Sequence, residues 1–235
     1  MQTKEWDEHY HSLKFLQWWP NEAIVRSILR EFSQNKISNL AKILDFGCGN
    51  GRHIRFLLEN SKRMNNNIHV DGIDISKNAI KLAKEFLTNT FDKSTFTVNV
   101  YDGKIVPFDQ NYFDYVISVA VLDQLKLDNA INLSNQINRV LKPSGKFFVD
   151  LEYITEDKQK SDLLEIGKLV EDNTVLITQG CEKNIFQHFF SNNDLKKLFN
   201  NWSSYHISEK NTSHVFSKSG ELIRESIRCL IVAEK

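Results

Sequence analysis

Apolar positions between residues 20 and 151 follow two alternating periods. Short apolar runs between polar turns predict strands, and apolar residues spaced three or four apart predict helices. The predicted strands are 42–46, 69–74, 96–100, 113–119 and 146–151. The predicted helices are 23–32, 52–59, 77–88 and 127–141, with a polar loop at 61–67. Because strands alternate with helices, we expect a largely parallel sheet covered by helices on both faces.

The first predicted strand breaks into a glycine-rich turn, Gly47-Cys48-Gly49-Asn50-Gly51, and the chain then restarts as a helix. Glycine allows tight turns and leaves no Cβ in the way of a ligand. In parallel sheets, ligands bind beyond the carboxyl ends of the strands. The candidate ligand-binding segments are therefore 45–51, Asp74, 102–103, 119–123 and 150–153.

The glycine spacing bears on the ligand. A nicotinamide enzyme would favour Gly-x-Gly-x-x-Gly, whereas this turn reads Gly-x-Gly-x-Gly. Asp74 could accept both hydroxyls of a ribose. Asp102 could accept a hydrogen bond from an adenine amine, with the Gly103 N–H facing a ring nitrogen. A nicotinamide dehydrogenase remains an alternative, although the turn is not shaped for a pyrophosphate.

Composition and charge narrow the class of protein. The 235 residues are 41% hydrophobic and 26% charged, which is typical of one globular domain. Lys+Arg and Asp+Glu are equal at 30 each, so we expect no nucleic-acid partner and no membrane binding. The N-terminus has no signal-like apolar region, which predicts a cytoplasmic protein. The cysteines, Cys48, Cys181 and Cys229, are widely spaced, which indicates reduced thiols and no metal site.

Several motifs together resemble those of class I (Rossmann-like) S-adenosylmethionine-dependent methyltransferases. The first motif of that family, Asp-x-Gly-x-Gly-x-Gly, is similar to the run from Asp45 to Gly51. The resemblance covers roughly residues 40–151, in order and at suitable spacing. The matching segments are 43–53, 72–76, 102–109, 113–118 and 139–145.

The resemblance implies an α/β fold with a seven-stranded, mostly parallel, doubly wound sheet, an antiparallel edge hairpin and a small cover inserted after strand five. The best hairpin strands are 205–208 and 226–233. The cover would contain a helix at 160–171, a strand-like pair at 175–178 and 185–190, and a helix at 193–199. A single domain is expected: an N-terminal lid or packing segment (1–38), a cofactor-binding core (40–151), an acceptor-side cover (152–204) and the hairpin (205–235).

The family's cofactor contacts transfer to matching positions. Asp45 and the backbone of Gly47 and Gly49 would hold the methionine end. Asp74 would bind the ribose, Asp102-Gly103 the adenine, and the Val119 carbonyl the amino group. The predicted cofactor-binding residues are Tyr10, Arg26, Asp45, Gly47, Cys48, Gly49, Asn50, Gly51, Asp74, Ile75, Tyr101, Asp102, Gly103 and Val119.

Two of these residues lie outside the matched core. Arg26 is the candidate for the cofactor carboxylate, and a surface salt bridge is the alternative interpretation. Tyr10 belongs to an aromatic-rich segment with Trp6, Trp18 and Trp19. Tyr10, Trp18 and Trp19 would form either a lid over the site or a packed helix.

The catalytic group is less determined. A hydroxyl acceptor needs a general base, and His is the usual choice near neutral pH. His188, in the proposed cover, is the first candidate, and a buried core histidine is the alternative. Asp123 and Glu152, beyond strands four and five, come next, although either could be a loop cap or a solvated carboxylate.

The expected reaction is O- or N-methylation of a small-molecule acceptor, such as a sugar or a phosphate-bearing metabolite, with S-adenosylhomocysteine as by-product. A monomer or homodimer is expected. The alternatives are a non-catalytic, regulatory member of the fold and a nucleic-acid or protein methyltransferase. Residues 118–121 read Ser-Val-Ala-Val, whereas enzymes that methylate base amines would carry an Asn/Asp-Pro-Pro-aromatic motif there.

Overall fold

A computed structural model describes residues 2–12, 18–34, 40–64, 67–155, 163–164, 166–180, 182–216 and 222–235. The helices are α1 (Thr3–Ser12), α2 (Glu22–Gln34), α3 (Arg52–Arg63), α4 (Lys77–Thr88), α5 (Leu127–Val140) and α6 (Asn192–Leu198). The strands are β1 (Ala41–Phe46), β2 (Ile68–Asp74), β3 (Phe96–Val100), β4 (Phe113–Val119), β5 (Leu141–Tyr153), β6 (Gly167–Glu171), β7 (Thr174–Ile177), β8 (Phe186–His188), β9 (Ser204–Phe216) and β10 (Leu222–Glu234). A 3-10 turn covers Leu122–Gln124.

The main sheet has seven strands in the order β3-β2-β1-β4-β5-β10-β9. Strands β1 to β5 pair in parallel, and β10 runs antiparallel to both β5 and β9. The predicted mostly parallel sheet with an antiparallel edge hairpin is therefore confirmed. Strand order reverses between β1 and β4, so the ends of these two strands border the crevice in which such sheets bind ligands.

Alternating side chains of the central strands supply two separate cores. Ile43 packs on the face that α2, α3 and α4 cover, and Leu44 packs on the opposite face with α5. Both side chains are fully buried. Because successive strand residues point to opposite faces, one apolar run can fill both layers. This double burial holds the strand ends, and the loops that follow them, in place.

The structure changes several element boundaries. Strand β9, predicted at 205–208, continues to Phe216. Helix α3 continues to Arg63, so the first part of the predicted loop at 61–67 is helical. Strand β5 already begins at Leu141 and continues to Tyr153. In the cover, residues 167–171 form strand β6, so the helix predicted at 160–171 is wrong over this part, and 160–162 lie outside the described residues.

Strand β6 exists because the chain reverses directly after it. Asn173 has a φ of 57°, a left-handed conformation that Asn tolerates and that suits tight hairpin turns. The turn pairs Leu169 with Val175, and β7 in turn pairs with β8, as predicted for that pair. The cover is thus a three-stranded antiparallel sheet.

The substitution Gly167→Ala tests whether residues 167–171 form a strand rather than a helix. A Cβ at Gly167 would lie 2.2 Å from the backbone oxygen of Leu176, so Gly167→Ala must push β6 away from β7. We expect a loss of about 1–3 kcal/mol in the free energy of unfolding, measured by urea denaturation. In a helix the same change would stabilise by up to about 1 kcal/mol. The control is Lys168→Ala at the exposed neighbouring position, and a stabilised Gly167→Ala variant would contradict the strand.

Candidate active site

The glycine turn after β1 is fastened to the end of β2. The N–H groups of Gly47 and Cys48 donate to the Ile73 carbonyl at 2.8 and 3.1 Å. The Gly49 N–H donates to Asp74 Oδ2 at 2.9 Å, and the Ser76 N–H donates to Asp74 Oδ1 at 2.8 Å. One carboxylate therefore joins the turn to the start of α4.

Each glycine of the turn is required for its own reason. All three have left-handed φ values, 75°, 53° and 82°. A Cβ on Gly47 would lie 2.2 Å from Val121 Cγ2, and one on Gly49 would lie 2.3 Å from the Tyr10 hydroxyl. A Cβ on Gly51 would press on Leu87 of α4 at 3.1 Å. The outer two glycines thus serve chain packing, while Gly49 leaves room for the Tyr10 hydroxyl.

A cavity of about 510 Å³ lies above this turn, within the usual size range of small-molecule sites. It brings together the ends of β1, β2 and β4 with one face of α1. Among the predicted cofactor-binding residues, those that line the cavity are Tyr10, Gly47, Cys48, Gly49, Asn50, Asp74, Ile75, Tyr101 and Val119.

Other predicted residues lie outside the lining. Asp45 and Gly51 are buried and do not line the cavity. Asp102 is exposed, and its Oδ1 accepts a hydrogen bond from the Lys104 N–H at 2.9 Å. Neither Asp102 nor Gly103 contacts the cavity, and the buried Tyr101 beside them does. Their proposed adenine contacts stay predictions.

Arg26 corrects the prediction that it binds the cofactor carboxylate. It lies on the outer surface of α2, where Nη2 donates to both Glu209 carboxylate oxygens at 2.6 and 2.7 Å. Its Nη1 pairs with Glu22 one turn away. The opposite face of α2 packs on the core, and Arg26 lies on the exposed face. The structure therefore supports the alternative interpretation, a surface salt bridge.

Arg52 lies where a carboxylate could be bound. It is the first residue of α3, directly after the glycine turn, and its side chain lines the cavity. Burial lowers the pKa of Arg52, and the nearby Tyr10 and Asp45 oppose that shift. The sequence carried a signal for this residue, since it follows the last glycine of the motif.

Two buried carboxyl groups at the glycine turn have pKa values near neutral pH. Burial raises the pKa of Asp45 to about 7 although Arg52 lowers it, and Asp45 Oδ2 has no hydrogen-bond partner in the described part of the chain. Burial also raises the pKa of Asp74 to about 6 despite the N–H groups of Ser76 and Gly49. A cationic ligand would favour the ionised form of both groups.

Helix α1 closes one side of the cavity although none of its residues is fully buried. Asp7 Oδ1 accepts hydrogen bonds from Ser76 Oγ and the Asn78 N–H, both at 2.9 Å, at the start of α4. Gln2 accepts from the Phe186 N–H at 2.8 Å and donates to the Asn184 carbonyl in the cover. Helix α1 is therefore held by polar contacts at both rims rather than by a core.

Tyr10 is the residue of α1 that reaches deepest. Burial, with Asp74 next, raises the pKa of the Tyr10 phenol far above its usual range, so this hydroxyl stays protonated. It can act as a neutral hydrogen-bond donor but not as a base.

His53 also lines the cavity, and its role is structural. Its Nε2 accepts a hydrogen bond at 3.0 Å from the Asn21 N–H at the start of α2. Burial, with Arg52 next, lowers the pKa of His53 to about 3. The neutral ring therefore joins α2 to the first turn of α3.

His188 does not lie in the cavity. It is buried in the cover, where Nδ1 is 2.7 Å from Thr174 Oγ1 and Nε2 is 3.7 Å from Asp194 Oδ2. Its ring packs edge-on against Phe190 at 4.5 Å. The prediction of His188 as a general base is therefore corrected to the buried core histidine.

Asp123 and Glu152 are also absent from the lining. Both pair with Arg228 of β10, at 3.1 and 3.0 Å, and Asp150 pairs with the same guanidinium. Burial raises the pKa of Asp123 to about 6, and Arg228 limits that shift. These carboxylates form a buried ionic cluster between β5, β10 and the 3-10 turn, so the predicted base role is not supported by their position.

Sequence reasoning missed part of the lining. Trp6, four positions before Tyr10 on the same helical face, and Arg52, directly after the last glycine of the motif, carried a signal in the sequence. Glu182 comes from the turn between β7 and β8, which no motif marks. The missed lining residues are Gln2, Trp6, His9, Arg52, His53, Gln124, Leu125 and Glu182. Across the described ranges, no group of three or more His, Cys, Asp or Glu side chains could hold a metal ion.

Comparison with known families agrees with this geometry. The family model described as a methyltransferase domain matches residues 37–212. The chain therefore belongs to the methyltransferase-domain family, and the predicted resemblance to the S-adenosylmethionine-dependent class, with its cofactor, is confirmed.

Individual relatives share between a quarter and about a third of their aligned residues with this chain. An uncharacterised protein of Methanocaldococcus jannaschii is 28% identical over 66% of this chain and 57% of its own length. The 24-methylenesterol C-methyltransferase 3 of Arabidopsis thaliana is 35% identical over 54% and 33%. A tRNA N(3)-cytidine methyltransferase of Bos taurus is 25% identical over 67% and 40%. The chain thus spans between a third and three fifths of the length of these relatives.

Solved structures share the fold. A methyltransferase of Methanosarcina mazei superposes with a TM-score of 0.62 at 20% identity, over 88% of this chain and 96% of that one. A phosphoethanolamine N-methyltransferase 2 of Haemonchus contortus, in complex with phosphomonomethylethanolamine and S-adenosylhomocysteine, gives 0.64 at 16% identity, over 92% and 53%.

Arg228 tests the role of the ionic cluster. Arg228→Met leaves three buried carboxylates without their counter-charge, so we expect a loss of about 3–5 kcal/mol in the free energy of unfolding at about pH 8. Burial already raises the pKa values of Asp123 and Asp150, and without Arg228 these lie further above the unfolded values. The loss should therefore shrink as the pH falls towards about 5, where the carboxyls take up protons.

Denaturant titrations at both pH values measure this dependence. The control is Arg55→Met, which breaks a half-exposed pair with Glu59 and should cost less than about 1 kcal/mol at either pH. An Arg228→Met loss that stays constant across this pH range would contradict the ionic cluster.

Proposed function

We propose that this chain transfers the methyl group of S-adenosylmethionine to a small-molecule acceptor. The observation that supports this most is the cavity in which Asp74 fastens the glycine turn, with Gly49 and Tyr10 at its base. The unpartnered oxygen of the buried Asp45 also fits a cationic cofactor.

The proposed contacts follow from position. The free lone pairs of Asp74 would accept the ribose hydroxyls, and the backbone of Gly47 and Gly49 would contact the methionine portion. Arg52, in place of Arg26, would bind the cofactor carboxylate. The Tyr10 hydroxyl, which lies against Gly49, would donate a hydrogen bond to the cofactor, and Tyr101 would line the adenine side.

The cofactor, when bound, supplies an electrophilic methyl carbon. The protein then has to align the acceptor with the carbon–sulfur bond and exclude water. Such alignment alone can account for a large part of the acceleration. Helix α1 and the cover enclose the cavity and would provide that alignment, since none of the predicted bases reaches the cavity.

The acceptor is proposed to be small because α1 and the turn between β7 and β8 narrow the opening. The tRNA methyltransferase among the relatives means that the comparisons do not support excluding nucleic acid. Equal numbers of acidic and basic residues still favour a small molecule. Among the described residues, no helix is long and apolar enough to cross a membrane.

Calorimetric titration with S-adenosylmethionine and with S-adenosylhomocysteine tests cofactor binding. An assay for released S-adenosylhomocysteine, with a metabolite mixture in one arm and tRNA in the other, tests the acceptor. Binding together with turnover on metabolites supports the proposal. The absence of heat with both compounds would refute the methyltransferase activity, and turnover on tRNA alone would replace the acceptor class.

Asp74→Ala tests the ribose contact. The change removes charged hydrogen bonds, so S-adenosylhomocysteine affinity should fall by about 1–3 kcal/mol, or roughly 5- to 150-fold. Circular dichroism establishes that the variant is folded. The matched control is Asp128→Ala, an exposed carboxylate on α5, which should bind like the parent protein. Unchanged affinity in folded Asp74→Ala would remove Asp74 from the site.

Cofactor affinity should depend on pH. Asp45 and Asp74 have raised pKa values of about 7 and about 6, so both lose their charge as the pH falls. The ionised Asp74 would accept the ribose hydroxyls, and the ionised Asp45 would attract the ammonium group from beneath the lining. Affinity for S-adenosylhomocysteine should therefore weaken by at least about tenfold between about pH 8 and about pH 5.5. Titrations near pH 7 in buffers of different ionisation enthalpy should also detect proton release. A flat profile would contradict this assignment.

A further inference from the structure

The wall of the cavity that α1 supplies has a distinctive lining. Three aromatic rings of α1 lie together there: Trp6 and His9 are 5.3 Å apart, His9 and Tyr10 are 5.5 Å apart, and Trp6 and Tyr10 are 6.4 Å apart. The first two pairs meet edge to face. All three side chains line the cavity, and each is only partly buried. They therefore form a wall of the cavity rather than a piece of the core.

A carboxylate faces the same space from another element. Glu182, in the turn between β7 and β8, lines the cavity and is partly exposed. Its turn is tied to the residue before α1, because Gln2 donates to the Asn184 carbonyl and accepts from the Phe186 N–H. The aromatic wall and the carboxylate thus belong to one connected rim.

The charges of the described lining are uneven. Its carboxylates are Asp74 and Glu182, and Arg52 is its one Lys or Arg. Arg52 lies at the glycine turn, close to Tyr10 and Asp45, on the cofactor side. A phosphate or carboxylate on the acceptor would therefore face Glu182, and Arg52 is the one lysine or arginine of the described lining that could offset the repulsion. Burying an unpaired charge in that position is costly.

A cation in the same position would be stabilised twice. Ammonium groups bind over Trp and Tyr faces by about 0.5–2 kcal/mol, and aromatic cages are used to recognise them. A carboxylate beside the reacting atom also stabilises positive charge that develops in the transition state. In methyl transfer, positive charge moves from sulfur to the attacking atom, so a carboxylate and aromatic rings beside that atom would stabilise the product.

We propose that the acceptor is an amine carried on an uncharged or cationic small molecule, held between the rings of Trp6 and Tyr10 and the carboxylate of Glu182. This inference rests on the proposed function. It selects N-methylation and argues against the phosphate-bearing acceptor considered from the sequence.

The step balances without a dedicated base. The ammonium form of the acceptor first gives one proton to bulk water at the open side of the cavity. The nitrogen lone pair then forms a bond to the methyl carbon while the carbon–sulfur bond breaks and its electron pair stays on sulfur. The products are a cationic N-methylated amine and neutral-sulfur S-adenosylhomocysteine. Glu182 and the aromatic rings stabilise the new ammonium.

The test uses the full chain saturated with S-adenosylhomocysteine, which cannot react. Two matched pairs of probes are titrated by calorimetry: 2-phenylethylamine against 2-phenylethanol, and ethanolamine against phosphoethanolamine. We expect the amine to bind at least about tenfold more tightly than the alcohol, and phosphoethanolamine to bind more weakly than ethanolamine. With S-adenosylmethionine, mass spectrometry should show transfer of one methyl group to the amine nitrogen.

Variants locate the effect. Glu182→Gln and Trp6→Leu should each weaken amine binding by about three- to thirtyfold while S-adenosylhomocysteine binds as before. Glu8→Gln is the matched control, because Glu8 lies on the exposed face of the same helix, next to Lys4. It should change neither affinity.

The outcomes separate the two proposals. If S-adenosylhomocysteine does not bind, the proposed function fails. If it binds, three results each overturn the amine acceptor alone: no affinity for either amine, equal affinity for amine and alcohol, or tighter binding of phosphoethanolamine. Amine binding that Glu182→Gln and Trp6→Leu leave unchanged would equally overturn the assignment to this rim.

Discussion

The carboxylate of Asp74 is the contact on which the site depends. It accepts the Gly49 N–H and the Ser76 N–H, and so joins the turn after β1 to the start of α4. Ser76 in turn donates to Asp7, which fixes helix α1. Asp74 and Ser76 thus connect the glycine turn, the start of α4 and helix α1. Burial raises the pKa of this carboxylate to about 6, because desolvation disfavours its charged form.

Local patterns were enough to predict most of the sheet. Strands β1 to β4 and the Ser76 cap of α4 depend on neighbouring residues: apolar alternation, a glycine turn and a capping hydroxyl. Strand β6 could not be found in this way, because its stability comes from pairing with β7 across a left-handed Asn173. The aromatic segment predicted either a lid or a packed helix, and only the distant Ser76, Asn78 and Phe186 decide its position.

The site residues also divide into those set by contiguous sequence and those set by contacts with distant elements. The glycine motif located the cofactor side correctly because its chemistry lies in contiguous sequence. Arg26, His188, Asp123 and Glu152 were chosen by residue type, and their partners come from other elements: Glu209, Thr174 and Arg228. These partners hold the four side chains outside the cavity. What reaches the cavity instead, Arg52 and Glu182, depends on the direction of α3 and of the turn between β7 and β8.

The central claim is that the cofactor binds on the Asp74-fastened glycine turn, beneath α1. Hydrogen–deuterium exchange of the full chain, with and without saturating S-adenosylhomocysteine, tests it most directly. The account predicts slower exchange at two segments distant in sequence, residues 46–52 and residues 3–12, because one ligand contacts the turn and the helix above it. Unchanged exchange at 46–52, or slowing confined to other segments, would contradict it.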